Sequence, residues 1–403
     1  MARCWIREVS RGLYLLRVDD DETRYFEGLW CIPEGVTYNS YVLVSDEGAI
    51  VFDTWKGRYS IEFIECLSKV VDPRDVRYVV VNHAEPDHSG ALPRLLEAIG
   101  LDRVEVVGHS MARDLLESFY GLRIPRFRAV GDGDVLKVGG YAIRFFHTPW
   151  LHWPETIMSF VEGLGVLISC DAFGGFSIPK GVFDDEVDVA GYERFVRKYF
   201  ASVVGKYARF VVSAIDKLKG GGVEPRVVAP SHGVVWRKNP KRVVELYRGL
   251  ATEEAVNPRK VVVVYSSSYG FTERAAEAVA QRLKSAGFEV VVHGFTDSRR
   301  SSAGDALGDI VDASTLVLGL STYEGRPFPI ATWFADLLVE KLGFRKSLRV
   351  VAMVSYGWGS AAGKVVEMLS RAGFRSVEVV DFRGAPTQSI VDKVVSLVAR
   401  GSP

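Results

Sequence analysis

Apolar residues fall into two different rhythms along this chain. From Lys260 onward, short runs that are apolar at nearly every position alternate with stretches of helical period. KVVVVYS (260–266) is followed by a helical pattern from Thr272 to Ala286. FEVVVHGF (288–295), STLVLGLS (314–321), RVVAMVSY (349–356) and SVEVVDFR (376–383) then come in turn, separated by helix-like segments such as ATWFADLLVEKL and GKVVEMLSRAG. Five such strands alternating with helices predict a doubly wound parallel sheet. Their apolar continuity fits a sheet covered on both faces.

The earlier part is strand-rich. YVLVSDEGAIVFDTW (41–55), VRYVVVNH (76–83), YAIRFFHTP (141–149), ETIMSFVEG (155–163) and VLISCD (166–171) lie close together, with SIEFIECLSKVV and SMARDLLESFY as the best helical stretches between them. This predicts an α+β layout of two sheets with helices outside. ATEEAVNPRK (251–260), polar and carrying a proline, reads as the linker. The expected division is residues 1–255 and 256–403.

Composition adds limits rather than identity. With 403 residues the chain exceeds one typical core. Lys plus Arg (50) equals Asp plus Glu (50), and no basic stripe suggests a nucleic-acid partner. No apolar run is long enough to cross a bilayer and no signal-peptide pattern opens the chain, so the expectation is a cytoplasmic protein. Cys4, Cys31, Cys66 and Cys170 are scattered without a C-x-x-C pair, which argues against a disulfide framework and against a rubredoxin or zinc-ribbon module. Gln occurs only at 281 and 388, and Asn only at 39, 82, 239 and 257; such scarcity of thermolabile amides fits a thermophile.

Polar residues at the strand ends carry the chemistry. NHAEPDHSG (82–90) places His83, Glu85, Asp87 and His88 directly after an apolar strand. His152 follows another strand, Asp171 ends VLISCD and His232 ends VVAPSH. Four imidazoles and three carboxylates offer mixed nitrogen and oxygen donors without thiolate, suiting iron or manganese better than structural zinc. Asp53 and Asn82 are candidates to support those ligands from behind. His147 is read as a supporting or core residue, His109 as a helix start and His293 as structural.

A second candidate site lies in the later part. KVVVVYS runs into SSYGFT (267–272) and straight into a helix, so backbone N–H groups and hydroxyls can surround a phosphate there. The loop has no lysine and no nucleoside-triphosphate motif. The loops after two later strands, GLSTYEGRPFP (319–329) and SYGWGSAAG (355–363), converge at the same carboxyl edge, where doubly wound sheets bind ligands.

His83-x-Glu85-x-Asp87-His88 followed by His152, Asp171 and His232 resembles the ligand pattern of the metallo-β-lactamase superfamily. In its glutamate form, and in the LHWP segment, it resembles that of the flavodiiron proteins. The later loops resemble the FMN loops of flavodoxin. The resemblance spans almost the whole chain and implies a metallo-β-lactamase-like αββα sandwich followed by a flavodoxin-like five-stranded sheet. It implies one iron on His83, Glu85 and His152, a second on Asp87, His88 and His232, and Asp171 bridging. It also implies FMN held by Ser267, Ser268, Tyr269, Gly270 and Thr272 at the phosphate, with Ser321, Thr322, Tyr323 and Gly325, then Ser355, Tyr356, Gly357, Trp358 and Gly359, around the ring. Phe271, where many relatives carry a polar residue, and the opening STYEG depart from the family pattern and bear on redox tuning.

The activity implied is reduction of dioxygen to water, of nitric oxide to nitrous oxide, or both, as detoxification. The implied partners are an external donor, either rubredoxin or a reduced deazaflavin coenzyme, and a second copy of the chain in a head-to-tail homodimer or a dimer of dimers. The alternatives are a metallohydrolase with a flavodoxin-like appendage, against which Glu85 argues, and an electron carrier that has lost its metals, against which the complete ligand set argues.

Overall fold

The computed structural model of the chain describes residues 4–371 and 373–400. The chain divides into two compact units. One comprises the residues up to Gly28, Ile32–Val196 and Arg209–Arg248; the other comprises Leu29–Cys31, Arg197–Ala208 and the chain from Gly249.

The first unit is built on two sheets. The larger runs Cys4–Ser10, Leu13–Asp20, Val36–Ser45, Gly48–Phe52, Val76–Val81, Glu105–Gly108 and Phe127–Ala129. Its first four strands form an antiparallel meander and the rest join in parallel. The smaller runs Val135–Val138, Tyr141–His147, Ile157–Val161, Val166–Cys170 and Val227–Pro230, with only the last pair parallel. Residues two apart on each strand face inward together, as the pleat requires. Leu13 with Leu15, Tyr41 with Leu43 and Ile50 with Phe52 come from one sheet. They meet Ile143 with Phe145, Ile157 with Val161 and Val166 with Ile168 from the other in one core. This is the expected two-sheet sandwich.

One expectation about this unit is corrected. Cys4 and Cys66 form a disulfide, with their Cα atoms 6.1 Å apart, although 62 positions separate them in sequence. The bond joins the first strand to the helix Ser60–Leu67, a proximity that spacing along the chain does not reveal. Cys31 and Cys170 are free.

The second unit holds five parallel strands in the order Glu289–Phe295, Asn257–Ser266, Ala313–Tyr323, Arg349–Tyr356 and Ser376–Arg383. The second strand in sequence therefore lies at the edge and the first beside it, the flavodoxin-like order with its switch point next to the first strand. Val261, Val263, Val317, Val351 and Met353 pack against Ala276, Val279 and Leu283 of the helix Phe271–Ser285 and Val394 of the helix Gln388–Ala399.

The expected linker is shorter than its composition suggests. The helix Pro240–Thr252 nearly reaches the strand that starts at Asn257. In the turn between them Glu253, at φ 65°, accepts from Arg345 Nε (3.1 Å) and from the backbone N–H groups of Lys346 and Ser347 (both 2.9 Å). The acidic residue that makes the segment look like a loop is an anchor.

Candidate functional site

Four strand ends in the first unit carry the metal-capable residues. Val76–Val81 runs into Asn82 and His83, Val166–Cys170 into Asp171, and Val227–Pro230 into Ser231 and His232; His152 lies in the turn after Tyr141–His147. Backbone bonds hold these ends together: Ile157 N–H donates to Asn82 O and Asn39 N–H to Ser231 O across the two sheets, and Ser231 N–H donates to Cys170 O within the smaller one (2.8–2.9 Å). Asp53, held at φ 53°, accepts from Asn82 through both oxygens, from its backbone N–H at 2.7 Å and its side-chain amide at 2.8 Å; Asn82 Oδ1 in turn accepts from Ser159. These two residues hold the backbone beside His83 and touch no imidazole through a hydrogen bond among the described residues.

The seven side chains converge as two sets that share Asp171. His83, Glu85, His152 and Asp171 form one set, and Asp87, His88 and His232 form another, with ligand atoms in each set within 4.8 Å of one another. Asp171 Oδ2 lies 3.6 Å from both His83 Nε2 and His152 Nε2. Its other oxygen, Oδ1, lies 3.0 Å from His88 Nε2 and 3.3 Å from His232 Nε2. Glu85 Oε2 adds itself to the first pair at 3.1 and 2.9 Å, and Asp87 to the second at 3.3 and 3.4 Å. A single carboxylate thus turns one oxygen to each set.

Three imidazoles have their second nitrogen accounted for. His83 Nδ1 lies 2.7 Å from the buried carboxylate of Glu155, which also accepts from Ala84 N–H. His232 Nδ1 lies 2.7 Å from Thr37 O. His88 Nδ1 has the Cys170 thiol at 3.9 Å. The carboxylate and the carbonyl can only accept, so His83 and His232 carry a proton on Nδ1 and present Nε2 to the centre. Nothing in the sequence marks Glu155, which stands as the opening residue of the strand-like run ETIMSFVEG.

The site demands positive charge. Burial opposes protonation of these imidazoles, but carboxylates outweigh it. His83 is held well above its ordinary range by Glu155 and Glu85, His88 is raised by Asp171 and Asp87, and His232 is pushed up to about 10 by the same two aspartates. Conversely, burial acts to raise Glu85 and Asp171, yet the neighbouring imidazoles hold both below the usual carboxylate range. Both oxygens of Asp87 and Nε2 of His88 are buried, and apart from the neighbouring ligand atoms at 3.0–3.4 Å they meet no hydrogen-bond partner among the described residues. Such atoms are expensive unless a cation meets them. The donor set, nitrogen and oxygen without thiolate, fits a pair of iron ions.

The remaining histidines are elsewhere. His109 caps the helix Ser110–Tyr120, and His147 stacks on it at 4.1 Å while its Nε2 lies 2.8 Å from Pro154 O. His293 pairs with Asp309 at 2.9 Å.

In the second unit a cavity of about 630 Å³ opens at the carboxyl ends of the strands, the size of a small-molecule site. Ser267, Ser268, Tyr269 and Thr272 line it from the loop that starts the helix Phe271–Ser285. Ser321, Thr322 and Tyr323 line it from the end of the strand Ala313–Tyr323, and Ser355, Tyr356, Gly357 and Trp358 from the end of Arg349–Tyr356 and the loop that follows. Gly270, Gly325 and Gly359 stand in these loops without lining the cavity; Gly270, at φ 79°, caps the helix and turns the chain into it. Phe271, Phe328, Pro329 and Gly384 complete the wall. The helix N-terminus offers N–H groups and a favourable dipole to a phosphate. Thr272 Oγ1 and Ser355 Oγ meet at 2.8 Å, and the buried Ser321 hydroxyl has no partner among the described residues. Trp358 (100% exposed) and Tyr269 (86%) stand free in solvent, available to cover a planar ring. These features fit a flavin mononucleotide.

Comparison with known proteins agrees with both halves. Residues 36–233 match the family described as ODP family beta lactamase, and residues 263–396 match Flavodoxin. The chain is 30% identical to a nitric oxide reductase of Moorella thermoacetica, over 94% of this chain and 92% of that protein. It is also 30% identical to a rubredoxin-oxygen oxidoreductase of Megalodesulfovibrio gigas, over 97% and 96%. A point variant of the flavo di-iron protein of Thermotoga maritima superposes with a TM-score of 0.91 at 34% identity, covering 100% of this chain and 98% of that one.

Proposed function

This chain belongs to the flavodiiron protein family, and from that premise we propose that His83, Glu85 and His152 hold one iron, that Asp87, His88 and His232 hold a second, and that Asp171 bridges them. The protein is an oxidoreductase in which FMN passes electrons to a non-heme diiron site that reduces dioxygen to water, nitric oxide to nitrous oxide, or both. When bound, the two irons supply those electrons and an open position to the diatomic gas. The protein's own part is to fix seven donors on strand ends and on the turns and short helix that follow them, to set the tautomers of His83 and His232 through Glu155 and Thr37, and to keep the cluster buried. The observation that carries the assignment is the placement of the two Asp171 oxygens, each facing a different pair of imidazoles.

The FMN phosphate is assigned to Ser267, Ser268, Tyr269, Gly270 and Thr272. The ring is assigned to Ser321, Thr322, Tyr323 and Gly325 on one side and to Ser355, Tyr356, Gly357, Trp358 and Gly359 on the other. Functionally the chain divides at 255/256, diiron part first. Electrons come from an external carrier, rubredoxin or a reduced deazaflavin coenzyme; the name of the Megalodesulfovibrio relative favours the first. A head-to-tail homodimer, or a pair of such dimers, brings the flavin of one copy to the irons of the next.

Among the described residues no helix is long and apolar enough to cross a membrane. We place the protein in the cytoplasm of a heat-adapted cell. A disulfide such as Cys4–Cys66 is unusual in a reducing cytosol, but intracellular proteins of hyperthermophiles are disulfide-rich.

Anaerobic reduction of the iron-loaded protein, followed by rapid mixing with each gas, tests the function. Fast flavin reoxidation with little peroxide supports it. Slow reoxidation with stoichiometric peroxide means that the flavin reacts alone and refutes it.

A further inference from the structure

The two halves of the metal centre are matched in their inner donors. Each takes two imidazoles, one carboxylate of its own and one oxygen of Asp171. Formal charge at the ligands therefore does not distinguish them. The residues behind the imidazoles do. His83 is backed at 2.7 Å by Glu155, an acid only 1% exposed whose second oxygen, Oε2, is buried with no hydrogen-bond partner among the described residues. His232 is backed by a neutral carbonyl, Thr37 O, and His88 by a thiol at 3.9 Å. The other buried carboxylate nearby, Asp53, gives both oxygens to Asn82.

We infer that Glu155 is a positioning residue that makes the two irons electronically unequal, biasing the one held by His83, Glu85 and His152 toward the ferric state. A carboxylate accepting the Nδ1 proton makes the opposite nitrogen a stronger donor, and its negative charge in a buried setting favours the higher metal charge. A peptide carbonyl does this more weakly and a distant thiol hardly at all. When the centre takes up one electron, that electron settles on the iron of Asp87, His88 and His232. The iron nearest Glu155 is reduced second, at the lower potential.

This rests on the diiron assignment, and the test keeps the two apart. The iron-loaded, full-length protein is titrated potentiometrically while the mixed-valent signal is followed by electron paramagnetic resonance. FMN is tracked by absorbance and iron by elemental analysis. In E155Q the amide keeps an oxygen for His83 and Ala84 but removes the charge. The second couple is expected to rise by at least a factor of about ten in its equilibrium constant, or 59 mV for one electron. The first couple should move less, so the gap narrows and the mixed-valent signal reaches a lower maximum. E155D, which keeps the charge on a shorter arm, should fall between the variant and the parent and should hold both irons if E155Q does not. An unmoved second couple, equal movement of both, or equal loss of iron from E155Q and E155D overturns the inference. Absence of any iron titration in the parent protein would overturn the diiron assignment itself.

Discussion

Replacing Asp171 by asparagine is the most economical way to ask whether this cluster is one bridged centre. The amide is nearly the shape of the acid, and Asp171 is 1% exposed, so packing changes little. What changes is charge and donor count. One oxygen remains, the other becomes an NH₂ that cannot ligate, and a negative charge 3.0 to 3.6 Å from four imidazole nitrogens disappears. Two unit charges about 4 Å apart interact by about 4 kcal/mol at an effective dielectric of about 20. At about 1.4 kcal/mol per power of ten, that is about a thousandfold in affinity. Dialysis of D171N against a chelator that leaves the parent loaded should strip at least one iron, measured by elemental analysis, with loss of gas reduction. The flavin cavity belongs to a different unit, so FMN absorbance should stay at the parental level. Retention of both irons under that challenge would refute the bridging geometry, and loss of FMN together with iron would refute the separation of the two sites.

Four further outcomes follow from the structure. His232, raised to about 10 from an ordinary value of 6.5, stays protonated at neutral pH until a cation displaces the proton. Calorimetry in buffers of different ionisation enthalpy should thus show at least one proton released on metal binding. A pKa raised by folding stabilises fully below 6.5 and less as pH climbs toward 10, so the metal-free protein should lose thermal stability across that interval; a flat profile would contradict this. Thr272→Val removes a hydroxyl from the phosphate loop. At about 1.5–3 kcal/mol for a hydrogen bond to a charged group, FMN affinity by fluorescence titration should fall about ten- to a hundredfold while iron content stays. The Cys4–Cys66 bond closes a span of 62 positions, for which chain entropy predicts about 4 kcal/mol. Differential scanning calorimetry of Cys66→Ser should therefore show a lowered melting temperature, and an unchanged one would mean the bond adds nothing.

Much of this was legible in the sequence because strand ends are where rigid backbone meets freedom for side chains. His83, Asp171 and His232 each stand where an apolar run stops, so their role shows without knowing which strands are neighbours. The same holds for Ser267, Ser321 and Ser355 at the ends of three apolar strands. What escaped depends on proximity between distant segments. Glu155 looks like the first polar residue of a strand, and only the fold carries it to His83 Nδ1. Cys4 and Cys66 look unrelated until the first strand lies by its helix. The strands Cys4–Ser10 and Leu13–Asp20 are hard to read from the sequence because charged residues interrupt their apolar positions. Gly384 reaches the flavin cavity because the last parallel strand ends beside it. Glu253 shows the converse: a polar residue in a supposed linker is fixed by Arg345, a partner that composition cannot name.

The centre's donors are also spread in time. A ribosome delivers His83, Glu85, Asp87 and His88 together, but His232 emerges far later and must find Thr37, 195 positions away, before its imidazole is aimed. Until Val227–Pro230 docks beside Val166–Cys170, the growing chain exposes an incomplete, pliable cluster. Such a cluster binds by intrinsic affinity, and copper and zinc outrank iron on that scale. Correct metallation is therefore a property of the finished cavity, and the cell must either withhold competing metals during synthesis or load iron afterwards.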